Sequence, residues 1–358
     1  MIAETASPAS LYDVVDNRLE GLIALLGLRR QAATIHDTYE RLCRESLALE
    51  AGSRPLRRSR LNADGTPFQL AFALGPEATG LQFLTETGAP LADNSARLEA
   101  ARDAIEDLGP RLGAAHSLTG ARRLLDLLAP STDLDLLADE AGAIWLGASF
   151  TPGRSPRLKV YVNLKWGKET SRRARLERFA AAVGLTSTWQ RIEPLVLGKL
   201  DPLGVSLDLQ ADRPIAGRVY LSGYGHSVRE YEFLVGACDP TLGGWLQRYC
   251  AILLRDDRLR PTRSAVFSFG GQAGSRPDYK LELCAHCALA SDVEARERSL
   301  EWLTEIGVSP ALYLGALDVL SGGLLSRVAT ELHVYLGLGT RQGAVYSTFY
   351  LNPAGALG

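Results

Sequence analysis

The sequence has neither an excess of one charge nor a long apolar run. Its 358 residues carry 39 basic and 41 acidic side chains, a formal net charge of -2, whereas nucleic-acid-binding proteins carry a strongly basic face. Nowhere do about 18 uncharged apolar residues follow one another, and the first residues lack a cationic segment followed by an apolar one. We therefore expect a globular cytoplasmic protein, monomeric or homodimeric, that binds neither nucleic acid nor membrane.

Cysteine is also scarce. Five cysteines, an odd number scattered over a long chain, do not resemble a disulfide framework, so reduced thiols are expected. The run Cys284-Ala-His286-Cys287 contains metal-ligand types, but it falls in a predicted strand, where Cys284 and Cys287 would face opposite ways. Because no second Cys or His pair lies nearby, ordinary strand cysteines are favoured over a metal site.

Alternation of polar and apolar residues predicts ten strands in five hairpins. The pairs are 67–74 with 80–87, 143–150 with 158–164, 205–210 with 216–223, 265–269 with 279–286, and 331–338 with 344–351. Helical periodicity marks the stretches around them, at 11–26, 32–49, 95–108, 120–128, 170–182, 188–197, 226–255, 293–306 and 310–320.

The repeated order of helices and hairpin predicts a closed barrel. The unit recurs at roughly 60 to 75 residues, whereas solenoid repeats are usually shorter and carry consensus residues that are missing here. Helices on one side cover only one face of each hairpin, so the other faces must line a common interior. Ten antiparallel strands closed into a barrel leave no edge unpaired. We predict an α+β fold in a single domain over 1–358, with N-terminal helices at 1–55 and the repeated units at 56–353.

The polar strand faces would then line the lumen. Several cations suit a diphosphate, and tyrosine rings stabilise a neighbouring carbocation by about 0.5 to 2 kcal/mol each when desolvated. Together they predict ionisation of an allylic diphosphate. On any single strand a solvated polar face is an equally good interpretation, but it is less favoured once three or more strands share the pattern. The predicted inward residues are Gln69, Lys159, Tyr161, Arg218, Tyr220, Lys280, Glu282, His333, Tyr335, Tyr346 and Tyr350.

Five segments together resemble the aromatic prenyltransferases of the dimethylallyltryptophan synthase type, whose fold is called the PT barrel. No one segment is specific, but their order and their placement on successive hairpins match over about residues 55 to 353. The segments are Leu61-Asn-Ala-Asp-Gly-Thr-Pro-Phe-Gln69, Leu158-Lys-Val-Tyr-Val-Asn163, Arg218-Val-Tyr220, Lys280-Leu-Glu-Leu-Cys-Ala-His-Cys287 and Val345-Tyr-Ser-Thr-Phe-Tyr-Leu-Asn-Pro353.

The resemblance implies roles for the lumen residues. Lys159 and Tyr161 look like the family's Lys-x-Tyr diphosphate motif, and Arg218 and Tyr220 look like its counterpart on the sixth strand, with Arg in place of Lys. Two more cations, Lys280 and Arg341, resemble further diphosphate contacts, and Tyr350 resembles the shielding tyrosine of the last strand. The implied carbocation shield comprises Tyr161, Tyr220, Tyr335, Tyr346 and Tyr350.

The sequence also departs from the family pattern. Gln69 stands where a glutamate commonly accepts the indole N–H, Gln82 stands where an arginine is expected, and Ala216 replaces another arginine. Gln69 cannot act as a base, although its amide oxygen still accepts a hydrogen bond. Glu282 is the first candidate base, with His333 or the released diphosphate as alternatives. Pairing of Glu282 with a neighbouring cation is an equally good interpretation of that carboxylate.

Aspartate-rich magnesium motifs are missing. The nearest string, at 256–260, lacks a third carboxylate, carries two arginines and reads as a solvated loop. The expected activity is therefore metal-independent transfer of a prenyl group, dimethylallyl first, from its diphosphate to an indole, tryptophan derivative, carbazole or phenol. No cofactor is required, and magnesium would be non-essential. The alternative is a barrel that binds an isoprenoid or aromatic metabolite without reaction, because Gln69, Arg218 and the missing arginines depart from the family.

Overall fold

The strands lie at the centre of the molecule. The computed structural model describes residues 10–53, 59, 61–75, 80–89, 92–130, 142–211, 213–223, 226–255, 261–262, 265–341 and 343–356. Its strands are β1 (Phe68–Leu74), β2 (Gly80–Glu86), β3 (Ile144–Phe150), β4 (Arg157–Asn163), β5 (Asp201–Gln210), β6 (Ala216–Gly223), β7 (His226–Ser227), β8 (Pro261–Thr262), β9 (Ala265–Gly271), β10 (Asp278–Cys284), β11 (His333–Arg341) and β12 (Ala344–Leu351).

Ten of these strands form a closed antiparallel barrel in the order β1-β12-β11-β10-β9-β6-β5-β4-β3-β2, while β7 and β8 make a separate two-stranded sheet. Closure occurs at β1, where Leu70 pairs with Phe83 of β2 and with Leu351 of β12. A closed barrel satisfies every strand edge internally. The predicted fold class and the five hairpins are confirmed. The boundaries differ most in β5, which begins at Asp201, and in β10, which ends at Cys284.

Helices surround the barrel and cover its aliphatic face. Outward residues of β4, such as Leu158 and Val160, are fully buried, because alternation aims them at the helices. None of the helices in the described ranges is long and apolar enough to cross a membrane. The helices are α1 (Leu11–Leu25), α2 (Ala32–Cys43), α3 (Asn94–Arg111), α4 (Leu118–Leu128), α5 (Glu169–Ala182), α6 (Thr186–Val196), α7 (Val228–Cys238), α8 (Pro240–Leu254), α9 (Ala285–Ala288), α10 (Asp292–Glu305) and α11 (Ala311–Ser321).

One predicted lumen residue, His333, lies outside the lumen. Its Nδ1 is 2.7 Å from Asp292 Oδ1 at the start of α10, and its Nε2 is 2.8 Å from the Tyr313 hydroxyl of α11. The pairing of β11 with β12 shifts between His333 and Tyr335, and such a bulge breaks the alternation of faces. The prediction that His333 faces the lumen is therefore wrong, and His333 is no longer an alternative candidate for the base.

Asp292 fixes the start of β11. Its carboxylate accepts hydrogen bonds from the backbone N–H groups of Glu331, Leu332 and His333 at 2.9 to 3.0 Å, besides its contact with the His333 ring. Burial opposes its charge, but the His333 ring and these N–H groups lower the pKa of Asp292 on balance. The first turn of α10 and the first residues of β11 are thereby held together.

We predict that Asp292→Asn destabilises the protein by about 2 to 4 kcal/mol at pH 7, because an amide cannot accept four hydrogen bonds and leaves buried donors unpaired. Since the folded pKa of Asp292 is depressed, its stabilising effect is present above the unfolded pKa of about 3.9 and is lost as pH falls through the folded value. Urea unfolding at pH 7 and pH 3 should show a gap between wild type and variant that narrows in acid. Glu301→Gln, which neutralises an exposed carboxylate of α10, serves as the control, and an equal gap at both pH values would contradict the assignment.

Candidate active site

Six strands, β4, β5, β6, β10, β11 and β12, present charged or phenolic side chains to the lumen, and β9, which lies between β6 and β10, contributes Ser268. The register puts Lys159 beside Asp208, and it aligns Tyr220, Ser268 and Lys280 across three adjacent strands. Because cross-strand partners share a face, these residues line one continuous wall. The predicted lumen residues other than His333 all lie on the inner face of their strands.

Cations are concentrated on this wall. Lys159 Nζ lies 3.0 Å from Asp208 Oδ1 and 5.7 Å from the centre of the Tyr161 ring. Arg218 donates to Ser268 Oγ at 3.2 Å, and the Arg341 guanidinium lies 5.4 Å from the Tyr346 ring centre. Guanidinium and ammonium groups that are only partly neutralised by the protein can bind a polyanion.

The charge of Arg218 is secured by its surroundings. Burial disfavours the guanidinium, but the neighbouring acidic groups, among them the carboxylates of Asp278 and Asp208, raise the pKa of Arg218 on balance. Arg218 therefore remains protonated at any working pH. It keeps the donor geometry of a guanidinium where the family pattern has a lysine.

Two lumen carboxylates, Asp208 and Asp278, were not predicted. Asp208 lies 3.0 Å from Lys159 and 3.4 Å from Arg157; burial opposes its charge, but these cations lower its pKa. For Asp278 the balance is reversed, because burial raises its pKa more than Arg218 and the other cations lower it. The alternation of Ser206, Asp208 and Gln210 along β5 was the sequence signal for the first of them.

Tyrosine rings lie next to the cations. Tyr161 and Tyr220 have ring centres 5.9 Å apart, and those of Tyr335 and Tyr350 are 6.2 Å apart. Gln82 donates to the Tyr161 hydroxyl at 3.0 Å. Burial raises the pKa values of Tyr161, Tyr220 and Tyr350 above their usual range. The rings are therefore neutral phenols whose faces can stabilise a cation.

Lys280, Glu282 and Tyr350 form a compact group. Lys280 Nζ is 2.7 Å from both Glu282 Oε1 and the Tyr350 hydroxyl, which itself donates to Glu282 Oε1. The two charged side chains are only 8% and 9% exposed, so their charges must compensate each other. The ion pair expected as one interpretation of Glu282 is present.

Two glycines of β11 make room for this group. A Cβ at Gly337, opposite Glu282, would lie 2.8 Å from Lys280 Cε, and one at Gly339 would lie 2.7 Å from the Tyr346 ring. Larger residues at either position would therefore displace a lumen side chain. The glycines let Lys280 and Tyr346 lie along the wall of the barrel.

Gln69 of β1 is buried beside the segment that precedes this strand. Its Nε2 is 3.3 Å from the Leu61 carbonyl oxygen and 3.3 Å from Asn62 Oδ1. Asn62 in turn donates to the carbonyl oxygens of Thr66 and Phe68. These contacts orient the amide, and within the described ranges its Oε1 accepts no hydrogen bond from the protein.

The architecture is similar to that of solved prenyltransferases. The 6-dimethylallyltryptophan synthase from Micromonospora olivasterospora, in complex with DMASPP and Trp, matches with a TM-score of 0.85 and 20% identity over 97% of this chain and 98% of that chain. The 5-dimethylallyltryptophan synthase from Streptomyces coelicolor gives 0.82 and 20% over 98% and 99%, and PriB, in complex with L-tryptophan and dimethylallyl thiolodiphosphate, gives 0.80 and 23% over 97% of each chain. The chain has the PT-barrel fold. No protein-family model and no curated protein matches it in sequence.

The PT-barrel fold implied by the sequence resemblance is thus confirmed. At these identities the similarity is one of fold, and the site roles given to individual residues remain predictions. Residues 256–260, expected to be a solvated loop, lie outside the described residues.

The cysteine run at the end of β10 differs from its prediction. The strand stops at Cys284, and 285–288 form the single helical turn α9. This turn brings Cys287 back towards Cys284, so that candidate ligand atoms of Cys284, His286 and Cys287 all lie within 4.8 Å of one another. The expectation that the two cysteines face opposite ways is wrong, because it assumed that the strand continued to His286.

We predict that Asp208→Asn tightens the binding of inorganic pyrophosphate roughly tenfold. The substitution removes a half-buried negative charge that holds Lys159 and faces Arg157, at almost unchanged side-chain volume. Calorimetric titration of wild type and variant at low ionic strength measures the change.

Asp201→Asn, on the exposed first residue of the same strand, is the matched control and should bind as wild type does. Weaker pyrophosphate binding in a correctly folded Asp208→Asn protein would instead make Asp208 a required support of Lys159.

Proposed function

We propose that this protein is an aromatic prenyltransferase that moves a prenyl group from its diphosphate to an indole or a related electron-rich ring. Dimethylallyl is the favoured prenyl group. The observation that carries the proposal is the lumen wall on which Lys159, Arg218 and Lys280 lie beside Tyr161, Tyr220 and Tyr350. Its fold is that of enzymes named dimethylallyltryptophan synthases, which supports this choice of reaction.

The cations would bind the diphosphate of the donor. Lys159, Arg218, Lys280 and Arg341 come from four different strands, so they can surround a group with several negative charges. Lys159 already forms an ion pair with Asp208, so a bound diphosphate would share the Lys159 ammonium with this carboxylate. The donor site needs no metal in this scheme, because ammonium and guanidinium groups supply the positive charge.

The tyrosines would protect the cation that forms on ionisation. The C1–O bond of the allylic diphosphate breaks, and its electron pair leaves with the diphosphate held by the cations. The positive charge that remains on the allyl group faces the rings of the predicted shield, each worth about 0.5 to 2 kcal/mol when desolvated. Raised phenol pKa values keep Tyr161, Tyr220 and Tyr350 from becoming nucleophilic phenolates.

The aromatic ring of the acceptor then attacks the allyl cation, and a proton must leave the adduct. Glu282 is the proposed base. The contacts of Lys280 and Tyr350 with this carboxylate both use Oε1, and across the described ranges Oε2 has no hydrogen-bond partner, so it can take the proton. Released diphosphate is the alternative base for that proton.

Gln69 is the proposed contact for the acceptor's N–H or O–H. Its amide nitrogen is engaged by Leu61 and Asn62, which leaves the oxygen to accept a hydrogen bond. The structures from Micromonospora olivasterospora and of PriB both contain tryptophan, which favours an indole or tryptophan derivative here. A neutral amide also suits a carbazole or a phenol.

The proposal is tested by incubating the protein with dimethylallyl diphosphate and a panel of indoles, carbazoles and phenols. We expect prenylated product and diphosphate release in EDTA, with little gain from added magnesium. Complete dependence on magnesium would overturn the metal-free mechanism. Binding of an aromatic without turnover on any acceptor would instead favour the non-catalytic barrel, which the amide at Gln69 would suit.

Lys159→Ala should lower kcat/KM for the donor by about 100-fold or more while acceptor binding is retained, since a charged hydrogen bond to the diphosphate is lost. The control is Lys168→Ala, which removes an exposed lysine between β4 and α5. This variant should behave as wild type. Unchanged turnover in the Lys159 variant would remove this residue from the donor site.

Gln69→Met tests the acceptor contact. In wild type, kcat/KM should be higher for the best acceptor than for its N-methyl or O-methyl counterpart. In the variant this ratio should be about fivefold smaller, which corresponds to one hydrogen bond of about 1 kcal/mol. The comparison of two acceptors in each protein cancels any general loss of activity. An unchanged ratio of kcat/KM values would show that Gln69 does not contact the acceptor's polar hydrogen.

A further inference from the structure

The turn that follows β10 brings two thiols and an imidazole together. Cys284 ends the strand on the lumen face, paired with Tyr335 of β11, and α9 begins at the next residue. Cys284 is the residue before the first turn and Cys287 is the third residue within it, positions whose side chains face each other at a helix start. His286 lies between them in sequence, with Nδ1 3.0 Å and Nε2 3.6 Å from Cys284 Sγ.

These separations suit a tetrahedral ion. With metal–sulfur bonds of about 2.3 Å and metal–nitrogen bonds of about 2.0 Å, ligand atoms around zinc are roughly 3.4 to 3.8 Å apart. The three candidate ligand atoms already lie within 4.8 Å of one another, so rotation about side-chain bonds is enough to bring them to this spacing. Across the described ranges no other three His, Cys, Asp or Glu side chains are grouped in this way.

Charge and exposure also fit a metal. Two thiolates and a neutral imidazole cancel the charge of a divalent ion, so the complex costs little to hold beside a buried strand end. Cys284 is buried, Cys287 is half-buried and His286 is exposed, and an ion can therefore enter from the solvent side.

A cavity lies beside the turn. Its volume is about 480 Å³, and His286 contributes to its wall together with Asp64, Glu331 and Asn352. The cavity gives room for the fourth ligand that a site with three protein ligands leaves open.

We propose that Cys284, His286 and Cys287 bind one zinc-type divalent ion, with water or a small molecule from this cavity as the fourth ligand. The ion would fasten the end of β10 to α9. Because Cys284 lies two residues after Glu282 on the same strand face, the site would also support the wall that carries Glu282 and Tyr335. The proposal does not depend on prenyl transfer.

Cobalt titration of the fully reduced, metal-stripped protein tests the site. We expect one equivalent of Co²⁺ per chain to produce the near-ultraviolet thiolate-to-metal band and the visible bands of a tetrahedral centre, and Zn²⁺ to remove both by competition. Cys287→Ser should reduce the thiolate band, to which Cys284 alone would then contribute, and weaken the apparent Zn²⁺ affinity by about 100-fold or more. His286→Gln should weaken that affinity by about 10-fold or more.

Cys238→Ser removes a half-buried thiol elsewhere and should leave stoichiometry and affinity unchanged. Circular dichroism of each variant checks the fold, and Cys287→Ser is preferred to Cys284→Ser because its side chain is less buried. Absence of a thiolate band in the reduced wild type, or an unchanged band and an unchanged Zn²⁺ affinity in Cys287→Ser, would overturn the site. Prenyl-transfer activity is not measured, so the two proposals fail independently.

Discussion

The pairing of charges inside a closed barrel is the constraint on which the rest of the site depends. Lys159 with Asp208 and Lys280 with Glu282 bring opposite charges into contact at 3.0 and 2.7 Å on the lumen wall. A buried cation without a partner would cost several kcal/mol. The carboxylates therefore compensate the cations that the proposed donor diphosphate would contact. Arg157 and Arg218 lie near Asp208 and leave the wall able to accept further negative charge.

Alternation along the strands separates this wall from the hydrophobic core. In β4 the residues Lys159 and Tyr161 face the lumen, whereas Leu158, Val160 and Val162 are buried beneath the helices. One sequence period thus supplies both the stability of the fold and the polarity of the site. The helices pack against the aliphatic face of the strands, so the lumen face can vary while the architecture is retained.

Most of the fold could be predicted from the sequence because it depends on this two-residue period. The errors come where a single residue interrupts the period. A bulge between His333 and Tyr335 turns His333 out to Asp292 and Tyr313, and the helical turn after Cys284 folds Cys287 back. Neither event changes composition or periodicity enough to be read from one sequence. The lumen position of Asp208 could have been predicted from the alternation of β5. Its pairing with Lys159 could not, because it depends on the register between strands that are distant in sequence.

In the proposed reaction, the contacts of Glu282 would let this carboxylate lie beside a carbocation without capturing it. A free carboxylate near an allyl cation would be a competing nucleophile. Here Lys280 and the Tyr350 hydroxyl both engage Oε1, which lowers the electron density of the carboxylate and fixes its orientation. Glu282 also contributes to the raised pKa of Tyr350, after burial, and this keeps the ring next to it a neutral phenol. In the proposed reaction the same ion pair would restrain the base and preserve the shield. Gly337 of β11 leaves the room that Lys280 needs for this pair.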